Sequence, residues 1–151
     1  MKEFRNIGEI LDFAINEEQS AVDFYLLLAA QSKSAESKNI FLEFAQEEMR
    51  HKANLTNIKE SGTLRMGDEK VRDLKITEYL VDVKPTPNMG YQEALILAMK
   101  KEKAAFRMYT VLAAHAEDPA VKQLLNSLAL EESRHKLRFE LEYDDVVFKE
   151  N

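Results

Sequence analysis

The chain has 151 residues, the size of a single domain, and its formal net charge of −6 at pH 7 argues against nucleic acid or an anionic membrane as a partner. It contains no cysteine, which excludes disulfides, zinc–thiolate sites, cysteine-ligated iron–sulfur clusters and thiol nucleophiles, so any metal must be bound by oxygen and nitrogen. Few glycines and prolines, and no apolar run long enough to span a membrane, favour an all-α domain in the cytoplasm.

Apolar spacing and capping residues predict four long helices. Asn6 is placed to cap the first helix, Gly62 ends the second, Pro87 precedes the third, and Asp118, directly before a proline, caps the fourth. The predicted elements are helices at about 7–32, 36–61, 90–115 and 119–143, with a crossover at about 63–88.

The connections within each pair of helices are short, so helices 1 and 2 form one antiparallel hairpin and helices 3 and 4 another. The crossover is long enough to travel the length of the molecule. The predicted fold is therefore a four-helix bundle of two antiparallel hairpins joined by a long crossover. Within the crossover, residues 73–81 fit either a short helix or an extended edge, and the sequence does not choose between them.

The two hairpins repeat one another in sequence. When the chain is shifted by 84 residues, 16 of the 53 pairs between residues 8–60 and 92–144 are identical without a gap. The same spacing in both halves indicates two hairpins of equal geometry related by a pseudo-two-fold axis. The aligned pairs include Glu18 with Glu102, Tyr25 with Tyr109, Glu48 with Glu132, and His51 with His135.

Each helix carries one glutamate on the stripe that faces the bundle core. In helix 2, Glu48 and His51 continue a spacing of 3, 4, 3 and 4 residues between apolar side chains, which is the inward stripe of a bundle helix. At a rise of about 1.5 Å per residue, the four repeated glutamates and the two histidines all fall within roughly one turn of the same level. The candidate metal ligands are Glu18, Glu48, His51, Glu102, Glu132 and His135.

Four buried carboxylates require compensation, because an unpaired buried charge is strongly unfavourable. Two divalent ions would balance four negative charges. Neutral imidazole suits iron, manganese or zinc and argues against a purely oxygen-ligated magnesium or calcium site. One glutamate from each of two helices, with Glu-x-x-His from the other two, is the pattern of di-iron and di-manganese carboxylate bundles. The sequence thus predicts a dinuclear centre of two iron ions, with manganese or zinc as alternatives.

Several polar residues near these stripes have more than one interpretation. Tyr25 and Tyr109, two turns from the glutamates of helices 1 and 3, are either core aromatics with hydrogen-bonded hydroxyls or participants in the chemistry. Glu47 and Glu131 lie one position off the stripe and are solvated or support the ligands without binding metal. Lys101 is interpreted as part of a solvated face.

In combination, these residues resemble the rubrerythrin-like branch of the ferritin-like superfamily across about residues 6–143. The resemblance implies a ferritin-like bundle with a non-haem di-iron centre that reacts with hydrogen peroxide or dioxygen, in a homodimer or larger assembly. The pattern that carries it is Glu18, Phe24-Tyr25, Glu48-x-x-His51, Glu102, Tyr109 and Glu132-x-x-His135.

The chain departs from rubrerythrin in two respects. Rubrerythrin carries a rubredoxin domain with four iron-binding cysteines, and this chain has none, so a separate electron-donor protein is expected. Rubrerythrin also has an additional carboxylate one turn beyond the helix 3 glutamate, where this chain has Ala105. The exchange of ligands between redox states thus lacks its usual carboxylate here.

The leading expectation is a di-iron oxidoreductase of the peroxidase or oxidase type that reduces hydrogen peroxide or dioxygen with external electrons. In it, Glu48 and Glu132 bridge the metals, the glutamates of helices 1 and 3 bind terminally, and each histidine holds one metal. Two alternatives remain: a protein that oxidises Fe(II) to bind or store iron, and a structural bundle that metal merely stabilises.

Overall fold

The computed structural model describes residues 3–86 and 88–150, with the side chain of residue 150 left out. Pro87, expected before the third long helix, lies outside the described residues. The described part is helical and contains no strand, which confirms the all-α, ferritin-like bundle. Its elements are α1 (Ile7–Gln31), α2 (Ala35–Ser61), α3 (Asp68–Asp73), one 3₁₀ turn (Ile76–Glu78), α4 (Tyr91–His115) and α5 (Pro119–Glu150).

Side-chain caps fix the starts of three long helices. The Asn6 side chain accepts a hydrogen bond from the Glu9 amide at 2.9 Å, and the Asp118 carboxylate accepts one from the Ala120 amide at 2.8 Å, which confirms both predicted caps. Ser34 does the same for α2. Each cap satisfies amides at a helix start that have no partner within the helix.

The last helix is longer than expected. The sequence predicts its end near residue 143, but α5 continues to Glu150. The reason lies in the repeat: Gly62, which adopts a left-handed conformation (φ 66°) and ends α2, corresponds to Val146 in α5. Valine does not favour that conformation, so the helix continues where its counterpart stops.

The bundle is built from two hairpins. α1 packs along α2, and α4 packs along α5, with contacts of α2 to α5 and of α1 to α4 joining the hairpins. The crossover takes neither predicted form throughout residues 73–81: α3 ends at the first of them, Asp73, and among the rest only the 3₁₀ turn is helical. Leu64, Val71 and Ile76 anchor the crossover in the core. None of the described helices combines the length and apolarity needed to cross a bilayer.

The core consists of two apolar clusters at opposite ends of the bundle. One joins the start of α1 and the end of α2 to the end of α4 and the start of α5, with Leu112 at its centre. The other joins the opposite ends and contains Leu28, Phe41 and Phe139. The six candidate ligands belong to neither cluster and lie in the layer between them. Apolar packing on both sides therefore holds the polar layer away from water.

We expect Leu28→Ala and Leu112→Ala each to lower the free energy of unfolding by about 2–5 kcal/mol, because each removes a side chain with no exposed surface from one of the two clusters. Urea unfolding followed by circular dichroism measures this loss. Leu26→Ala is the matched control on α1, since that leucine is 46 % exposed, and it should cost less than about 1 kcal/mol. Equal losses at positions 26 and 28 would contradict this description of the core.

Candidate metal centre

Four helices each contribute one carboxylate to the polar layer, and two of them also contribute a histidine. Glu18 comes from α1 and Glu102 from α4, while the Glu-x-x-His pairs come from α2 and α5. A separation of three residues places the two side chains of each pair on one helix face. The set comprises Glu18, Glu48, His51, Glu102, Glu132 and His135, and none of them is more than 3 % exposed.

The six side chains form two overlapping groups of four. Within each group, the ligand atoms, one from each residue, all lie within 4.8 Å of one another. Glu48 and Glu132 belong to both groups, whereas every other member belongs to one. Nδ1 of His51 lies 2.9 Å from Oε1 of Glu132, and Nδ1 of His135 lies 3.0 Å from Oε1 of Glu48. The geometry is therefore that of two adjacent sites, each with one histidine and one terminal carboxylate, that share two carboxylates. The groups are Glu18, Glu48, His51 and Glu132, and Glu48, Glu102, Glu132 and His135.

Each of the six residues presents one buried atom that has no hydrogen-bond partner. Buried polar atoms in folded proteins are nearly always satisfied, so six such atoms in one layer require an explanation. Cation binding explains them, because carboxylate oxygen and imidazole nitrogen are donors that iron, manganese and zinc accept. The residues present thus fit a dinuclear metal centre. The unpartnered atoms are Glu18 Oε2, Glu48 Oε1, His51 Nδ1, Glu102 Oε2, Glu132 Oε1 and His135 Nδ1.

The electrostatics of the layer also favour cations. Burial and repulsion by neighbouring carboxylates raise the pKa of Glu48 and of Glu102 well above the usual range. Burial opposes the charged forms of Glu132 and His51, but the close contact and electrostatic attraction between these two groups outweigh it. The pKa of Glu132 falls to about 2 and the pKa of His51 rises to about 11. The layer therefore draws in positive charge, which divalent ions supply when they displace the protons.

Each histidine is oriented by a carboxylate from the opposite hairpin. Nε2 of His51 lies 2.5 Å from Oε2 of Glu131 on α5, and Nε2 of His135 lies 2.5 Å from Oε2 of Glu47 on α2. A proton on Nε2 leaves Nδ1, which faces the centre, free to bind metal. Of the two sequence interpretations, the structure supports the one in which Glu47 and Glu131 support the ligands.

Two arginines complete this crosswise arrangement, and sequence reasoning missed both. Arg50 donates to Glu131 at 2.7 Å, and Arg134 lies 3.8 Å from Glu47. Partial burial acts to raise the pKa of Glu131, but hydrogen bonds from Arg50 and His51 outweigh it and lower the pKa. The hydrogen bond with His135 lowers the pKa of Glu47. Both carboxylates thus stay ionised as acceptors for the histidines. The repeated Glu-Glu-x-Arg-His sequence contained this signal.

The two tyrosines contact the terminal carboxylates. The hydroxyl of Tyr25 on α1 donates to Oε1 of Glu102, and the hydroxyl of Tyr109 on α4 donates to Oε1 of Glu18. Burial and the nearby Glu18 raise the pKa of Tyr109 well above its usual range, so this phenol keeps its proton. Each hydrogen bond crosses between hairpins and leaves the other carboxylate oxygen, Oε2, buried and without a hydrogen-bond partner. A part for either tyrosine in the chemistry stays a prediction.

A cavity of about 60 Å³ opens beside the centre between α1 and α4. It reaches Glu18 and Glu102, and Ala105 lies in its wall at the position of the additional rubrerythrin carboxylate. Lys101, interpreted from the sequence as solvated, is instead half-buried in this wall and lies 3.5 Å from Glu17. The crossover lines the cavity as well, which the sequence did not predict; its contributing residues are Leu80, Val81 and Pro85.

We expect Glu131→Gln and Glu47→Gln each to weaken metal binding about 10- to 100-fold, because an amide is a poorer acceptor than a carboxylate for the histidine N–H. Anaerobic titration with Fe(II) against a competing chelator measures the affinity. Glu43→Gln, at an exposed position of α2, is the control and should bind as the parent does. Unchanged affinity in both test variants would show that these carboxylates do not orient the histidines.

Comparison with known proteins identifies the family to which the chain belongs. A family model described as Rubrerythrin matches residues 9–143, which include all six candidate ligands. No curated protein and no solved structure gives a significant match. The match covers 135 of the 151 residues, and it agrees with the helical bundle and with the buried glutamates and histidines between its hairpins. On this evidence the chain is a member of the rubrerythrin family.

Proposed function

We propose that the protein is a di-iron oxidoreductase that reduces hydrogen peroxide or dioxygen with electrons from a separate donor protein. The observation that carries this proposal is the set of six unpartnered, buried donor atoms arranged as two sites with two shared carboxylates. In a structural polar network each of these atoms would have a hydrogen-bond partner, since unsatisfied buried polar groups destabilise a fold. Membership of the rubrerythrin family supports the choice of iron over other metals.

When bound, two Fe(II) ions would supply the two electrons that, with two protons, convert hydrogen peroxide to two molecules of water. The remaining tasks fall to the protein. Glu48 and Glu132, which belong to both candidate ligand groups, would be shared between the two ions, and one terminal glutamate and one histidine would complete each site. Four carboxylates would balance the charge of two divalent ions, which would favour their binding in an apolar surrounding.

Tyr25 and Tyr109 fix the terminal carboxylates. Each phenol donates to Oε1 of a glutamate, so Oε2 has no hydrogen bond and is available to bind metal. Both tyrosines also line the cavity. They hold protons next to the place where the oxidant would be reduced, and they exclude water from the other sides of the carboxylates.

The cavity has room for a small oxidant. Its volume of about 60 Å³ is several times the roughly 10–15 Å³ that one water molecule needs, which is enough for hydrogen peroxide or dioxygen. Its wall is formed largely by apolar side chains, including Phe24 and Met108. An apolar wall admits an uncharged oxidant and disfavours ions.

Anaerobic loading with Fe(II) tests the proposal directly. Elemental analysis should give about two irons per chain, and peroxide should then oxidise both, seen as near-ultraviolet absorption. Glu48→Ala and Glu132→Ala, which remove shared ligands, should hold fewer than about one iron per chain, while Glu43→Ala, at an exposed position of α2, should hold the same amount as the parent. Catalytic consumption of peroxide or dioxygen with an added reductant completes the test.

Other results of this experiment would contradict the proposal in distinct ways. Retention of many irons per chain after exposure to excess Fe(II) would indicate iron storage. Bound iron that neither peroxide nor dioxygen oxidises would indicate a structural metal. Fewer than about one iron in the parent would remove the di-iron centre altogether.

We expect Ala105→Leu to slow the oxidation of bound Fe(II) by peroxide at least about tenfold, equivalent to about 1.4 kcal/mol. The larger side chain would fill the cavity beside the terminal glutamates without removing a ligand. Stopped-flow absorbance measures the rate, and elemental analysis checks that the iron content is unchanged. Ala114→Leu, at an exposed position of the same helix, should react at the parental rate. Parental rates in both variants would show that the oxidant enters elsewhere.

A further inference from the structure

The outer face of α5 carries a row of exposed large apolar side chains, here called the outer stripe: Leu130, Leu137, Leu141 and Phe148. Their exposed fractions are 62, 57, 53 and 83 %. At about 100° per residue, all four lie within about 20° of one line along the helix, and that line is about 140–180° from the direction of Glu132. The stripe thus faces directly away from the metal centre and is covered by no other part of the described chain.

The internal repeat provides a control for this observation. The positions on α2 that correspond to Leu130, Leu137 and Leu141 are Gln46, Ala53 and Asn57. All three are exposed, but none is a large apolar residue. The fold therefore does not require leucine at these places. Other exposed apolar residues on the long helices, such as Leu26 and Met49, do not form such a row.

The four residues of the outer stripe are spaced symmetrically along the sequence about Phe139. Relative to Phe139, Leu137 and Leu141 lie two residues before and after, and Leu130 and Phe148 lie nine residues before and after. A two-fold axis that brings two antiparallel helices together requires this kind of symmetry, because each position then meets its mirror position on the partner. Leu130 would face Phe148 of a second copy, and Leu137 would face Leu141.

We propose that the outer stripe is the contact between two copies of this chain, which pack their α5 helices antiparallel about a two-fold axis at the level of Phe139. The repeat of seven, four and seven residues is the seam of a helix pair in which apolar side chains interdigitate. The extension of α5 beyond residue 143 supplies Phe148, without which Leu130 would have no apolar partner.

Charges beside the stripe agree with this arrangement. Arg134 lies five residues before Phe139 and Asp145 six residues after it, on the same flank of the helix. An antiparallel pair therefore brings the Arg134 of each copy beside the Asp145 of the other. Both side chains are more than half exposed, and their pairs within the chain, with Glu47 at 3.8 Å and with Lys149 at 3.2 Å, are exposed and weak.

The size of the contact sets the expected strength. The stripe extends over about 27 Å of helix, and two helices paired over that length bury on the order of 1,000 Å² in total. This value is at the lower limit for a specific interface. The dimer is therefore expected to be stable at high protein concentration and to dissociate on dilution.

Light scattering coupled to size-exclusion chromatography, over a dilution series, tests the proposal. The parent should approach twice the chain mass of 17.4 kDa at high concentration. The double variant Leu137→Glu/Leu141→Glu should remain at 17.4 kDa at every concentration, with unchanged helicity, because it places charges at the centre of the seam. The matched control Ala53→Glu/Asn57→Glu makes the same change at the equivalent positions of α2 and should behave as the parent.

Cross-linking tests the direction of packing, and the absence of native cysteine makes it specific. Arg134→Cys and Asp145→Cys, mixed and treated with a short bis-maleimide, should give a cross-linked heterodimer. Neither variant alone should cross-link, since two copies of position 134 would lie about 15 Å apart along the axis. Four results would each overturn the proposal. In the dilution series they are a parent that stays monomeric, which would assign the stripe to a different protein, a Leu137→Glu/Leu141→Glu variant that keeps the parental mass, or a control variant that does not. In the cross-linking experiment it is a cross-link formed by either cysteine variant alone.

Discussion

The arrangement of the bundle depends on the repulsion among four carboxylates enclosed between two apolar clusters. Glu18, Glu48, Glu102 and Glu132 are each at most 3 % exposed, so water does not screen them from one another. Burial and this repulsion raise the pKa of Glu48 and Glu102, so that the centre favours the uptake of positive charge, as protons or as metal ions. The neighbouring histidines, tyrosines and off-stripe glutamates are all placed so that one donor atom of each ligand remains directed at that charge.

Duplication gives the centre its two-fold character. Each hairpin supplies one terminal glutamate, one shared glutamate and one histidine, and the hydrogen bonds that orient these ligands cross to the other hairpin. Neither hairpin could hold its own ligands in place alone. The symmetry ends away from the centre, where Glu142 in α5 accepts hydrogen bonds from Ser37 and Tyr91. The corresponding position in α2 is Ile58, which packs in the apolar cluster at the other end.

The fold and the convergence of the six candidate ligands in one layer were predictable because they depend on spacing along single helices. A Glu-x-x-His pair on an inward stripe fixes which face it occupies, and the 84-residue repeat fixes that both pairs lie at the same depth. The partners of Glu47 and Glu131 were not predictable in the same way. Their contacts with His135 and His51 depend on how α2 and α5 are rotated against each other, and helical periodicity does not specify that rotation between elements.

Helical periodicity also did not predict the conformation of the crossover or the residue at which α5 ends. The crossover is held by a few buried side chains, such as Val71 and Ile76, whose neighbours come from distant parts of the chain. In α5, the substitution of Val146 for the terminating Gly62 of α2 was visible in the aligned repeat, but its effect was hidden by the assumption that both hairpins end alike. Departures from the repeat therefore carry as much information as its identities.

The cavity and the outer stripe lie on different faces of the molecule. The cavity lies between α1 and α4, where Ala105 leaves room beside the terminal glutamates. The outer stripe lies on α5, directed away from the centre, and among the described residues of α5 only Glu132 lines the cavity. A second copy docked on the stripe would therefore leave the path to the metal centre open. Association of two chains through α5 and entry of an oxidant through the cavity would therefore not depend on each other.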